Sequence, residues 1–250
     1  MDLRLDGKNA LVTGASSGLG ERFALALAAS GARVALAARR VDKLDQLKAR
    51  IDATGGEAYT VEMDVTSVTA IEQAVRRIEV EFGDLDILVN NSGVSMTKRL
   101  GEYTEADYDY ILDTNLKGAF FVAQTVGARM VRRRSGRIIN VASAVGMHVM
   151  PGIGVYAMSK AAVIHMTKAM AREWGRFGIN VNALCPGYIE TEINREYFKT
   201  EAGQKLVQKL PRQRTGKPED LDGLLILLAS DAAGFVNGTP ILADDGLTLG

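Results

Sequence analysis

The stretch Lys8-Asn9-Ala10-Leu11-Val12-Thr13-Gly14-Ala15-Ser16-Ser17-Gly18-Leu19-Gly20, continued by Glu21 to Ser30, decides the fold. Lys8 to Val12 is a short apolar run of strand type. Glu21 to Ser30 carries alanine and leucine at helical spacing, and Gly31 stops it. A strand that feeds a glycine turn and then a helix is the setting in which a glycine motif carries chemistry. Such a turn must be tight, and its backbone must approach a phosphate with no Cβ in the way. The free N–H groups and positive dipole end of the helix then face the anion. The spacing is Gly14, Gly18, Gly20, which is G-x-x-x-G-x-G and not the G-x-G-x-x-G fingerprint. On this motif alone, a packing turn without a ligand remains the alternative.

Outward from this unit the same alternation repeats. Apolar runs of strand type lie at Arg33 to Ala38, Ala58 to Met63, Ile87 to Val89, Arg137 to Val141, Asn180 to Leu184 and Pro240 to Ala243. Helical stretches lie at Val41 to Ala53, Val68 to Phe82, Thr104 to Arg133, Val155 to Phe177 and Lys217 to Ser230. Strands alternating with long helices predict parallel strands joined by right-handed crossovers. Near-continuous apolar strands predict a sheet covered on both faces. The expectation is an α/β, doubly wound parallel sheet of about seven strands in a single domain spanning residues 1–250, with ligands beyond the C-terminal strand ends. The segment from Ile189 to Arg214 has the weakest regular signal and is long for a plain loop, so a functional lid is expected there.

Composition narrows the function classes. Apolar residues make up 47% and charged residues 24%, which excludes a disordered chain. Thirty Lys and Arg cancel thirty Asp and Glu, which argues against nucleic acid or an anionic membrane as partner. One cysteine and two histidines leave no disulfide framework and no metal site, and the single cysteine suits a reducing compartment. No apolar run reaches the ~18 residues of a membrane span. The start Met1-Asp2-Leu3-Arg4-Leu5-Asp6 is too charged for a signal peptide. A cytoplasmic protein is therefore expected.

Several polar residues stand where the strand ends converge. Tyr156 and Lys160 lie four apart at the start of a long helix, on one face. A lysine ammonium near a phenol favours the phenolate, so the phenol pKa is expected below its usual value of about 10. That suits proton transfer near neutral pH. Ser143 sits just past the fifth strand, at the same sheet edge, where its hydroxyl can hold a carbonyl oxygen. Asn115 stands among Leu116, Ala119 and Phe120 in the preceding helix, where a satisfied core amide or a helix kink is the plain alternative. The second strand ends at Ala38-Arg39-Arg40, with no carboxylate to grip a ribose hydroxyl before Asp42. A guanidinium there can pair with a 2′-phosphate, Arg39 foremost, although both arginines also read as solvated charges at a strand end.

Thr13-Gly14-x-x-x-Gly18-x-Gly20, Asn90-Asn91-x-Gly93, Asn115, Ser143, Tyr156-x-x-x-Lys160 and Pro186-Gly187 together resemble the short-chain dehydrogenase/reductase family in its 250-residue form. The resemblance covers essentially the whole chain. It implies a Rossmann-like fold and an NADP(H)-dependent oxidoreductase that moves a hydride between nicotinamide and a carbonyl or secondary alcohol carbon of a small molecule, a ketone or 3-oxoacyl type. It implies Tyr156 as acid/base, Lys160 lowering its pKa and holding the nicotinamide ribose, Ser143 orienting the substrate oxygen, and Asn115 carrying a water in a proton relay. Gly14, Ser16, Ser17, Gly18, Leu19 and Gly20 would cradle the pyrophosphate and adenosine, and Arg39 and Arg40 would take the 2′-phosphate. Asp64 and Val65 would contact adenine, while Asn91, Ser92 and Gly93 flank the adenosine side. Pro186, Gly187, Ile189 and Thr191 would pack on the nicotinamide and its amide. A homotetramer is implied as well. The chain departs from the family pattern at Ser92, usually alanine, and at Asp244-Asp245-Gly246, usually aspartate-glycine-glycine. A dinucleotide-binding regulator without turnover is the competing reading, and it has no need of Asn115, Ser143, Tyr156 and Lys160 together. Met147, Val149, Met150 and Ile153 suggest an apolar substrate or simple core packing, and His148 a surface loop or a substrate contact.

Overall fold

The computed structural model describes residues 3–192 and 194–249. Its strands are β1 (Asn9–Thr13), β2 (Arg33–Ala38), β3 (Glu57–Glu62), β4 (Ile87–Asn90), β5 (Gly136–Val141), β6 (Ile179–Pro186) and β7 (Pro240–Ala243). They form one seven-stranded sheet in the order β3-β2-β1-β4-β5-β6-β7. Every pairing is parallel. Among the described residues the helices include α1 (Gly18–Ala29), α2 (Val41–Asp52), α3 (Val68–Phe82), α4 (Glu105–Leu112), α5 (Ala119–Arg133), α6 (Gly154–Trp174) and, later in the chain, α9 (Asp222–Ala229). Between β6 and α9 lie the short α7 (Arg195–Lys199) and α8 (Glu201–Lys209).

The apolar strands are explained by burial on both faces. In β1, Leu11 faces one core with Ile71, Val75, Val122 and Val163 from α3, α5 and α6. Its neighbours Ala10 and Val12 face the other core, with Phe23, Leu44 and Leu225 from α1, α2 and α9. Successive residues of a strand point to opposite sides, so a strand covered twice must be apolar throughout. The chain runs outward through β2 and β3, then returns to place β4 on the other side of β1. That reversal opens a crevice at the C-terminal ends of β1 and β4.

The boundaries differ from the sequence expectation in three places. The single helix expected from Thr104 to Arg133 is broken: α4 and α5 are joined by a π-helical turn over Asp113–Gly118. The turn closes on Gly118, where a Cβ would lie 2.7 Å from the Val65 carbonyl oxygen. The helix expected over Lys217 to Ser230 begins as a 3-10 turn, Pro218–Leu221, before α9. The segment expected as an irregular lid contains α7 and α8, with Thr200 capping α8 by accepting from the Gly203 N–H.

Candidate active site

The crevice is a cleft of about 640 Å³. Its base is the glycine turn between β1 and α1. Gly14 has φ +66°, and a Cβ there would lie 3.0 Å from Asn91 Nδ2. A Cβ on Gly20 would lie 2.2 Å from the Gly14 carbonyl oxygen, so the first turn of α1 packs directly on the loop backbone. Ser17 precedes α1 without capping it by its side chain, which leaves the helix N–H groups to a ligand. The expected alternative, a packing turn without a ligand, does not need that open end.

Thr13 ties the turn to the next strand end. Its hydroxyl accepts from the Asn91 and Ser92 amides at 3.0 and 3.1 Å, and Asn91 Nδ2 donates to the Thr13 carbonyl at 3.0 Å. Sequence reasoning left Thr13 out of the site. Its signal was its place beside Gly14, where a hydroxyl bridging the ends of β1 and β4 is in reach.

Of the residues expected to form the site, all but Gly20 and Asn115 line the cleft. Gly20 lies beneath the loop. The cleft also takes in Met63, Thr66, Tyr110, Thr114, Tyr188 and Asn194, which sequence reasoning did not single out. At the end of β2, Arg40 donates to Ser16 Oγ at 3.0 Å and to Ser17 Oγ at 2.7 Å, although Arg39 was expected to lead. Arg39 lines the same cleft and its charge acts on Asp64. Asp64 accepts from the Thr66 N–H at 2.9 Å, and that bond foremost holds its carboxyl below the ordinary carboxylate range.

Ser143, Tyr156 and Lys160 converge on the opposite wall. Ser143 caps the 3-10 turn that follows β5, accepting from Val145 N–H at 3.4 Å. Its hydroxyl donates to the Pro186 carbonyl at 3.5 Å and lines the same cleft as the Tyr156 phenol. Lys160 is buried, with Nζ 5.7 Å from the Tyr156 ring centre and donating to the Val141 carbonyl at 2.8 Å. Burial lowers its pKa from 10.5 to about 8. The phenol was expected below 10 through the lysine charge. Instead, burial pushes it up, against a smaller downward pull from Ser143. The lysine is turned to the β5 carbonyl, so desolvation decides the phenol.

Asn115 sits in the π-helical turn and is buried. Its Oδ1 accepts from the Val94 N–H at 2.7 Å, and Nδ2 donates to the Val94 carbonyl at 2.8 Å and to Ser159 Oγ at 3.0 Å. The satisfied core amide expected as one alternative is therefore realised, and where a helix kink was the other the chain makes a π-helical turn. Its place is nonetheless beside the lysine: a Cβ on Gly93 would lie 3.4 Å from Asn115 Oδ1 and 3.5 Å from Lys160 Nζ. One lone pair of Oδ1 remains open to a further donor.

The far wall comes from the segment after β6. Gly187 N–H donates to the Ala243 carbonyl at 3.0 Å, and Ile189 bridges to Gly216 in parallel fashion. Thr191 lies over the glycine turn, its Cγ2 3.6 Å from the position of a Cβ on Gly18. Tyr188 donates its hydroxyl to Met150 Sδ at 3.3 Å. Of the apolar run after Ser143, Met147 and Val149 are exposed, and His148 does not line the cleft.

The model of the short chain dehydrogenase family matches residues 8–202. Gluconate 5-dehydrogenase of Gluconobacter oxydans is 39% identical over 246 residues, covering 98% of this chain and 96% of that protein. A 3-oxoacyl-(acyl-carrier-protein) reductase of Thermotoga maritima is 38% identical, covering 99% of this chain and 100% of that one. Among solved structures, gluconate 5-dehydrogenase from Burkholderia cenocepacia in complex with NADP and tartrate superposes with a TM-score of 0.96 at 38% identity, covering 100% of this chain and 98% of that one.

Proposed function

The chain belongs to the short-chain dehydrogenase family, and from that premise we propose that it is an NADP(H)-dependent oxidoreductase in which Tyr156 exchanges a proton with the oxygen of a carbonyl or secondary alcohol. The observation that carries this reading is the meeting of Ser143, Tyr156 and Lys160 across one cleft from a glycine turn that a Cβ would fill. The cofactor supplies hydride chemistry; the protein supplies position and a proton.

Gly14, Ser16, Ser17, Gly18 and Leu19 form the cradle for the pyrophosphate, with the open start of α1 facing the anion. Arg40, already gathered with Ser16 and Ser17, and Arg39 beside it take the 2′-phosphate by charge-assisted bonds. Asp64 and Val65 border the adenine, and Asn91, Ser92 and Gly93 the adenosine side. Pro186, Gly187, Ile189 and Thr191 enclose the nicotinamide end. In reduction, Ser143 Oγ holds the substrate oxygen and the Tyr156 phenol gives it a proton as negative charge develops. A phenol whose pKa burial raises is fully protonated at neutral pH, which suits the donor role. Lys160 holds the ribose and hands a proton to the phenolate, and Asn115 supplies that lysine with a water.

The substrate is a small molecule bearing a ketone or a secondary alcohol. The two curated relatives act on a sugar acid and a 3-oxoacyl thioester by name, so both classes belong in the test. NADPH oxidation is expected with at least one member of a panel of ketones, keto sugar acids and 3-oxoacyl thioesters. Tight NADPH binding with no turnover on any of them would leave a dinucleotide-binding regulator instead. We also read the chain as one dinucleotide-binding and catalytic domain, cytoplasmic and homotetrameric. An apolar groove between α5 and α6, with Leu116, Phe120, Met166 and Met170, supports assembly. The lone buried thiol suits a reducing compartment.

A further inference from the structure

The departure at Asp244-Asp245-Gly246 has a structural correlate. Asp245 follows β7 and holds φ +56°, a left-handed conformation that aspartate adopts more readily than most side chains but less readily than the glycine usual there. Its carboxylate accepts from Arg212 Nη1 at 3.1 Å and from Arg214 Nε at 2.9 Å. Both arginines lie in the last turn of the excursion that leaves the sheet after β6. Gln213 between them is also left-handed, at φ +50°. Two non-glycine residues in that region meet at one ion-pair cluster. Such conformations persist only where the surroundings fix them.

The cluster has a rigid foundation. Asp244 accepts from the Gly246 and Thr248 amides at 3.1 and 2.9 Å, which sets the turn. A Cβ on Gly187 would lie 2.7 Å from Asp244 Cα, so the wall of the cleft packs directly on this backbone. The excursion itself is pinned at its base, where Glu190 N–H and Gly216 N–H donate to Gly216 and Tyr188 carbonyls, each at 2.8 Å. Within it, Thr191 and Asn194 line the cleft. Beneath it lies a cavity of about 430 Å³ with Leu210, Pro211, Leu224 and Leu247 on its walls. The excursion thus rests on a hollow and is held at its returning end by the two arginines.

We propose that Asp245 is a positioning residue that clasps the 188–216 excursion against the C-terminal segment and so holds the substrate wall of the cleft closed. The part played in turnover rests on the oxidoreductase reading; the clasp itself does not. A part-exposed ion pair contributes little alone, but two share one carboxylate here, so opening is expected to rise about three- to tenfold without it.

Two variants of the full chain separate the clasp from backbone strain. Asp245→Gly removes the carboxylate and relieves the left-handed residue, so its thermal midpoint is expected to hold or rise. Asp245→Asn keeps a residue tolerant of that conformation and removes only the charge. In both, backbone amides of 195–214 are expected to exchange with deuterium about three- to tenfold faster than in the parent. High salt should bring the parent toward the variants and leave the variants unchanged. KM for the carbonyl substrate should rise by the same factor with kcat not lowered. Unchanged exchange in both variants overturns the clasp. Faster exchange with unchanged KM overturns its part in positioning substrate. If the parent reduces no carbonyl compound, the oxidoreductase reading fails and exchange alone decides the clasp.

Discussion

Lys160→Met tests the cost of burying a charge in the cleft. The ammonium lies in the core below the β5 end with one carbonyl acceptor. Moving its pKa from 10.5 to about 8 means that the folded state holds this proton less firmly than the unfolded chain. At neutral pH the protonated lysine then destabilises the fold by about 3 kcal/mol. The sign follows from proton counting. Below about pH 8 both states are protonated and the full burden applies. As pH rises from there, the folded lysine releases its proton while the unfolded one keeps it, so stability rises until about pH 10.5. Between pH 7 and 9 the gain is about 1.4 kcal/mol. Cys185 works the other way, since burial raises its thiol from 9.0 to about 11 and stability falls as pH climbs through that interval. Urea unfolding of parent and variant at pH 7, 8 and 9, at one protein concentration, isolates the lysine: the lysine charge lowers the thiol, so its loss only raises the folded thiol further, and that thiol stays protonated across this range in both. The difference in unfolding free energy, parent minus variant, is expected to grow by about 1.4 kcal/mol across the series. Parallel pH profiles would show that Lys160 titrates as it does in water and that the cleft does not desolvate it.

Tyr156→Phe is expected to lower kcat by about 10²–10⁴ while the NADPH dissociation constant stays within a few-fold, measured by stopped-flow turnover and by fluorescence titration. Arg39→Ala and Arg40→Ala are each expected to weaken NADPH by about ten- to hundredfold and leave NADH unchanged, read from kcat/KM with both cofactors. Arg40 is expected to show the larger loss, because it is already gathered with Ser16 and Ser17; a parent that uses NADH better than NADPH refutes the phosphate site. Light scattering at micromolar concentration is expected to give four times the 26.9 kDa chain mass, and a monomer mass would overturn the assembly.

The parallel sheet was legible because burial on both faces leaves strands such as Val34 to Ala38 almost free of polar residues. Gly14, Tyr156 and Lys160 were legible because fixed spacings in strand-turn-helix units place them at one sheet edge. What stayed hidden depends on distances that spacing does not encode. The π-helical turn at Asp113–Gly118 is invisible in a helical pattern, since one extra residue in a turn leaves composition and periodicity on either side intact. The phenol pKa went the opposite way from the expectation because burial, which sequence spacing does not encode, raises it, while Lys160 donates to the Val141 carbonyl. The choice of Arg40 over Arg39 as partner of Ser16 and Ser17 is a matter of which way adjacent side chains leave a strand end. The helices α7 and α8 escaped notice because they are short and mostly exposed, with Phe198 and Gly203 as their buried residues.

The π-helical turn also constrains how this gene can change in length. A single-residue deletion within Asp113–Gly118 would convert the turn to ordinary α-helix, a more regular backbone. It would also rotate everything before it by about 100° relative to α5, the angle one residue contributes to an α-helix. Tyr110 would swing off the cleft wall, and Asn115 would lose its bonds to Val94 and Ser159. A deletion that tidies the helix is therefore expected to displace both side chains, whereas loop tips elsewhere in the chain, such as Thr54-Gly55, have no such phase to keep.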